Sequence, residues 1–548
     1  MADGGSHRAC PTVTRKPQGA RILHQGLMRV ARLAYGARMN RADGLTTSSS
    51  DDDIAALAKG GRTNVFGFVL RLLARLPFLF IAGRVYGPET VGRFALAVLV
   101  VELAALLATL GLKRGLAQAL SSTDRPHVHV VWDAMVVAFV VSVAASAVLF
   151  VFPQIMYPNS HILGFERLLP LIVFAIAWSD VSLAALAYRL NVKAAVTARA
   201  VVEPWTISIA AWVLSYVSTR DGLILSYVLS MAAALVASLV PFIRSYGLPR
   251  GWTPQLRPML ALARRNMPLA GADAIEWGTR NVDRFILGVM FPPAVVGIYY
   301  MAQQVSSLPQ KLKTSFDPVL GPVITKSLAE GDKAAVARQV LQVGFWIMAA
   351  QAALALAGSI PAEGVMGIVG PQFVSGAGAL SFLLVAEVLA ATGAVSEAAL
   401  VYVARHRNLM LSIGLLTFQV LLSFALVLLM RRLGFPEPWQ AAGPAVALAV
   451  SLACGSWLKS RLLARILDHR VAEIRRPFVA AILAASGVGS VIMLLPPHLE
   501  WAEMLFGIPA ILLTYGFVLW RWAFGPADRA LFHKAPVTAT IPTEKHKS

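Results

Sequence analysis

The sequence predicts an all-α polytopic membrane protein of about 14 transmembrane helices, built as two six-helix bundles related by a parallel pseudo-two-fold, with two extra helices at the C-terminus. Three observations carry this prediction. Of the 548 residues, 57% are hydrophobic and only 14% are charged, against roughly 25% charged in ordinary globular chains. Apolar runs of about 20 residues recur along most of the chain, each long enough to cross a hydrocarbon core of about 30 Å. One phrase occurs twice: "FIAGRVYGPETVGRFALA", Phe80 to Ala97, and "FILGVMFPPAVVGIYYMA", Phe285 to Ala302, share seven residues at a fixed offset of 205.

The elements follow in order. Residues 1–62 form a basic tail without an apolar region ahead of a cleavage site, so the first span is expected to serve as the insertion signal. The tail's last part, "SSSDDDIAALAKGG", reads as a capped juxtamembrane helix that sets Lys59 and Arg62 near anionic headgroups. The first bundle, 63–243, holds spans near 66–86, 93–112, 130–151, 168–188, 197–217 and 222–243. A cytoplasmic loop is expected over 244–265. The second bundle, 266–463, holds spans near 266–290, 294–316, 338–358, 378–402, 408–430 and 440–460. A last pair near 477–496 and 502–523 occupies 464–523, and 524–548 is a cytoplasmic tail. Continuous apolar runs exclude a membrane barrel, whose strands alternate in and out over about ten residues.

A net charge of +20 invites a nucleic-acid reading, but its distribution excludes one. With the N-terminus cytoplasmic, most of the 49 Lys and Arg fall in the tails and in the loops after even-numbered spans, as the positive-inside rule requires. Cys10 and Cys454 lie too far apart in character, one in a polar tail and one in a span, for a disulfide framework or a metal cluster. The chain contains no G-x-x-x-x-G-K-[ST], H-E-x-x-H, C-x-x-C or G-x-S-x-G, and its exterior loops are short. It is therefore expected not to be an enzyme and to need no cofactor and no metal.

Six spans separate the two copies of the repeated phrase, so both run in the same direction across the membrane. Each joins the first two helices of its bundle: Gly87-Pro88 and Pro292-Pro293 break the helix, and Gly92 and Gly297 allow close packing. The offset also carries Arg75 onto Arg280, with Arg71 one turn before Arg75 on the same face. In the seventh span Asp273, Glu276, Arg280, Asp283 and Arg284 share about 100° of arc. A charge inside the bilayer is costly and needs a partner. Two readings stand: Glu276 and Asp283 pair with Arg280 and Arg284 in a structural network, or the arginines, including Arg71 and Arg75 with no acid one turn away, hold the oxygens of an anionic ligand such as a pyrophosphate. Gln303, Gln304 and Ser307 line the eighth span and suit either a sugar or helix packing. Glu102, Asp133, Asp180, Glu203, Glu387 and Glu397 are expected as partners of arginines, or as carriers of a coupling ion; Glu276, Asp283, Glu102 and Asp180 are the foremost candidates for such ion pairing or coupling.

Residues 60–120, beginning "GGRTNVFGFVLRLLARLPFLF", and the second copy "RNVDRFILGVMFPPAVVGIYYMAQQVSSLP", with its Asp283-Arg284 and Gly297-x-Tyr299, resemble polysaccharide-biosynthesis membrane proteins, the oligosaccharide-lipid flippases of the multidrug/oligosaccharidyl-lipid/polysaccharide exporter superfamily. The resemblance spans about residues 60–525. It implies alternating access between two bundles in the bacterial inner membrane, both termini cytoplasmic. It also implies a lipid-linked oligosaccharide as substrate for lipopolysaccharide O-antigen or exopolysaccharide synthesis, with Arg71, Arg75, Arg280, Arg284, Gln303 and Gln304 lining its path. Expected partners are that lipid-linked substrate, membrane lipids and the polysaccharide polymerase or assembly proteins, with no nucleic acid. A cation-coupled multidrug-type exporter and a non-transporting partner of an assembly complex are the alternatives. The long basic tail departs from the family pattern.

Overall fold

The computed structural model describes residues 76–158, 164–189, 191–249, 251–314, 317–494 and 503–529, and among them there is no strand. Among the described residues nine helices are long and apolar enough to cross a membrane, and the described part of every segment expected to span falls mainly on helix, the first from Leu76 onward. Arg71 and Arg75 lie outside the described residues.

The first hairpin is made by one glycine. A π-helical turn, Ala82–Tyr86, ends where Gly87 takes a φ of +77°, and Pro88 then opens α1 (Gly87–Ala108). A left-handed φ is inexpensive only for glycine, and proline costs a helix nothing in its first turn. Leu110 and Gly111, both at positive φ, turn the chain into α2 (Leu112–Ser121), which buries Leu112, Leu116 and Leu120. The charge pattern read this stretch as a loop. Its apolar residues recur every four positions, so it folds as a short amphipathic helix instead. The first bundle continues with α3 (His127–Val151), α4 (Leu169–Tyr188), α5 (Glu203–Ser215) and α6 (Gly222–Tyr246).

The connection between the bundles is shorter than the expected 244–265, because α6 runs to Tyr246 and α7 (Leu256–Met290) already begins at Leu256. The segment "LRPMLALARR" is too charged for a lipid core but rich in good helix formers, so the helix extends beyond its apolar part. Then come α8 (Pro293–Thr314), α9 (Asp317–Ala329), α10 (Lys333–Ser359), α11 (Ala377–Val403), α12 (Arg405–Arg432) and α13 (Glu437–Leu467). Like α2, α9 stands where a loop was expected. The last pair is α14 (Arg476–Ile492) and α15 (Ile508–Val518).

That last pair is fastened to the second bundle. Asp528, 1% exposed, accepts hydrogen bonds from Arg475 Nη1 at 2.6 Å, from Trp346 Nε1 at 2.9 Å and from Gln342 on α10. The Arg475 guanidinium lies 3.8 Å from the ring centre of Phe345, and Tyr515 donates to the Ala349 carbonyl at 2.8 Å. A buried carboxylate met by one cation and neutral donors is stable where a lone one is not.

The two copies of the repeated phrase touch each other. A methyl on Gly92 would sit 1.7 Å from the Pro293 carbonyl oxygen and 2.9 Å from the Gly297 nitrogen. A methyl on Gly297 would sit 2.0 Å from the Pro88 carbonyl oxygen and 2.8 Å from the Gly92 nitrogen. Pro293 and Gly297 are the offset counterparts of Pro88 and Gly92, so each copy makes to the other the contact it receives. Such self-complementary contact is the mark of a two-fold axis, and here it passes between α1 and α8.

Candidate functional site

Two groups of charged residues stand out in the spans, one along a seam between the bundles and one in a cavity of the first bundle. The seam is built on α7. At its basic end, Arg114 of α2 reaches across to Asp273 at 3.0 Å and to Glu276 at 2.8 Å. One turn further, Arg280 pairs with Glu387 of α11 at 2.5 Å. Asp283 is fully buried and accepts from the Tyr299 hydroxyl at 2.6 Å and from the Arg284 backbone nitrogen at 2.9 Å. The Gln303 amide donates to the Arg280 carbonyl at 2.9 Å. Arg284, 6% exposed, donates to Asn281 and lies 5.3 Å over the Tyr300 ring, while its Nε has no hydrogen-bond partner among the described residues.

These pairings correct the expected ones. Glu276 does not reach Arg280, although the two are one turn apart, because Arg114 arrives from another helix; Arg280 turns instead to Glu387. Asp283 takes its hydrogen bonds from a tyrosine hydroxyl, from backbone and, at 3.5 Å, from Gln303, with the Arg284 charge beside it. An i,i+4 pair is worth only about 0.5 kcal/mol, so a tertiary partner in a drier place displaces it. Gln304 is half-buried, and its backbone carbonyl accepts from Ser307 at 2.7 Å.

The cavity, about 520 Å³, holds Glu102 of α1, Lys113 of α2, Asp180 of α4, Arg199, Glu203 of α5 and, from the second bundle, Trp277 of α7. Arg199 bridges Asp180 at 2.5 Å and Glu203 at 2.9 Å, and Lys113 lies 3.4 Å from Asp180. The structure thus brings Glu102 and Asp180 into one place and puts Arg280, Arg284 and Gln303 in another. Sequence reasoning passed over Arg199, Trp277 and Tyr227. Arg199 was findable, since Glu203 follows it at i+4 inside a span. The aromatic residues carried no signal in so apolar a chain. Glu387 and Asp180 serve arginines, as expected of intramembrane acids, and so does Asp133, which accepts from Arg125 at 2.8 Å and from Trp252 of the inter-bundle connection at 2.9 Å. Among the described residues no His, Cys, Asp and Glu group is placed to hold a metal ion.

The fold of two helix bundles meeting along a pseudo-symmetric seam is shared by solved structures of transporters. The lipid II flippase MurJ in an inward closed conformation matches with a TM-score of 0.61 at 11% identity, over 84% of this chain and 98% of that one. An inward-facing multidrug resistance transporter of the MATE family, of the MOP superfamily, matches with a TM-score of 0.58 at 15% identity, over 73% and 96%. A MOP superfamily transporter from Pyrococcus furiosus matches at 0.50, with 13% identity over 78% and 99%. None of the curated proteins matches the sequence. Residues 81–357 match the family described as polysaccharide biosynthesis protein. The chain belongs to that family.

Proposed function

We propose that this protein is a flippase that carries an anionic lipid-linked oligosaccharide across the bacterial inner membrane by alternating access of its two bundles, for O-antigen or exopolysaccharide assembly. Both termini lie in the cytoplasm. Arg280 and Arg284, with Arg71 and Arg75 of the first span, hold the pyrophosphate, and Gln303 and Gln304 hydrogen-bond the headgroup.

The observation that carries this reading is Arg284. It is a buried cation on the seam that donates to an amide, lies over an aromatic ring and stands beside the Asp283 carboxyl, with one guanidinium N–H left without an acceptor among the described residues. Guanidinium groups bind phosphate oxygens bidentately, and an anion entering the seam supplies what Arg284 lacks. It also offers Arg280 an alternative to Glu387, so the ligand competes with an ion pair of the resting protein. The alternative, a cation-coupled exporter of small drugs, needs Glu102 and Asp180 more than the arginines; Asp180 is already shared by two cations.

The test is genetic and chemical. Deleting the protein is expected to leave a prenyl-pyrophosphate-linked glycan on the inner leaflet and no surface polysaccharide, and Arg280→Ala with Arg284→Ala at normal protein level is expected to reproduce that phenotype. Full surface-polysaccharide assembly by the double variant refutes the assignment.

A further inference from the structure

We infer that Tyr299 is a positioning residue for the anion site: its hydroxyl holds the Asp283 carboxylate off the Arg284 guanidinium, so that Arg284 keeps a compensated charge and an open N–H for an incoming pyrophosphate. This rests on the flippase reading and adds to it a device that prevents the arginine from being taken up by the acid next to it in the chain.

Asp283 and Arg284 are neighbours on α7, both are buried, and the charge of one acts on the other. In so dry a place a carboxylate and a guanidinium form strong charge-assisted hydrogen bonds wherever geometry permits. Here the two side chains share none. Asp283 Oδ2 accepts from the Tyr299 hydroxyl at 2.6 Å and from Gln303 Nε2 at 3.5 Å, and Oδ1 accepts from the Arg284 backbone nitrogen at 2.9 Å. Tyr299 is itself 1% exposed, so its hydroxyl is fixed by packing. The Arg284 side chain goes elsewhere, to Asn281 and over the Tyr300 ring, and its Nε finds no acceptor among the described residues. Asp283 thus offsets through space part of the cost of burying the Arg284 charge, while leaving its donors to another anion.

The repeat supplies an internal comparison. At the offset of 205, Asp283, Arg284 and Tyr299 fall on Phe78, Leu79 and Phe94. All three are buried, and Phe78 and Phe94 pack ring to ring at 6.0 Å where the second copy has the hydrogen bond from Tyr299 to Asp283. Two phenylalanines therefore meet the packing needs of this hairpin, and a buried carboxylate adds no stability over an apolar pair of like size. What sets the second copy apart is the cation, with leucine at this position in one half and Arg284 in the other. The acid and the hydroxyl accompany the arginine, as a device that serves the arginine rather than the hairpin must.

The test is titration of the purified full-length protein with farnesyl pyrophosphate. Tyr299→Phe, which removes one oxygen and keeps the ring, is expected to bind it about tenfold more weakly, because the freed carboxylate turns to the Arg284 guanidinium. Asp283→Asn removes the competing charge and is expected to bind at least as tightly as the natural protein, and the double variant to match Asp283→Asn within about threefold. That rescue is a readout which a merely structural hydroxyl cannot give, since the loss of two buried partners would then leave the double variant the weakest of the set. Binding by Tyr299→Phe within about twofold of the natural protein refutes the inference, and so does a double variant as weak as Tyr299→Phe. Where Tyr299→Phe yields no folded protein, Asp283→Asn decides: equal or tighter binding supports the inference, and weaker binding overturns it. Absence of binding by the natural protein refutes the flippase reading and this inference with it, whereas a natural protein that binds beside variants without rescue refutes this inference alone.

Discussion

At the hairpin end of the seam the bundles meet backbone to backbone, and at the basic end they meet charge to charge. Around the crossing of Gly92 and Gly297 a single apolar core runs through both bundles, with Phe94 of α1 packed edge-on against Tyr227 of its own bundle at 5.6 Å and against Tyr300 of the other at 6.3 Å. Near α2 the cores part: Leu112, Leu116 and Leu120 belong to a cluster of the first bundle that takes in Met259 at the start of α7, while Val340, Phe345 and Trp346 belong to one of the second with the C-terminal pair. Beside that apolar edge, Asn266 lies against Gly115, and Arg114 stands between Asp273 and Glu276. A dry apolar contact is insensitive to salt and must be wedged apart. Exposed ion pairs are weak and exchange readily with water and salt. The two ends therefore have different opening costs.

Substitutions at each level of the seam sharpen this contrast. The largest effect is expected of Gly92→Val: the Pro293 oxygen is backbone and cannot step aside, so the cost exceeds the ~1–3 kcal/mol of ordinary overpacking. A large loss of thermal stability, with cysteine pairs across α1 and α8 that no longer cross-link, is the expected result; unchanged cross-linking breaks the comparison. Next comes Glu387→Ala, which strands Arg280 in a part-buried place, at about 3 kcal/mol. Arg280→Met combined with Glu387→Leu is expected to restore most of that stability in a denaturation series while still abolishing transport. The smallest effect is Glu276→Ala, whose own side chain is 64% exposed and whose Arg114 partner is 56% exposed, so under about 1 kcal/mol is lost after solvent screening. Raising salt from about 0.05 to 0.5 M shortens the Debye length to a few ångströms. It should loosen cysteine cross-links between α2 and α7 and leave those between α1 and α8 untouched; equal responses at both ends would dissolve the distinction.

Much of the scaffold was legible in the sequence, and the reasons are physical. A lipid solvent forces each span to be long, apolar and helical, so helix positions can be read from runs, and the duplicated hairpin marks where each half begins. The helices α2 and α9 were missed because a search for spans discards short, charged segments that are helical only along one apolar stripe. The site was less legible. That Arg280 belongs to Glu387 and Glu276 to Arg114 follows from which helices become neighbours, over separations of 107 and 162 residues, and no local spacing encodes that. Arg199, by contrast, carried its partner Glu203 one turn away and could have been found by the same rule that picked out α7.

The reciprocal glycines bear on how this chain can change over time. After a duplication the two halves are free to drift apart, and most of these halves have done so. Where the copies press directly on each other, a new side chain in one copy is judged at once against the other, and neither can vary alone. The phrase written twice in the sequence is thus a single part in the folded protein, and its persistence records contact, as much as common ancestry, between the halves.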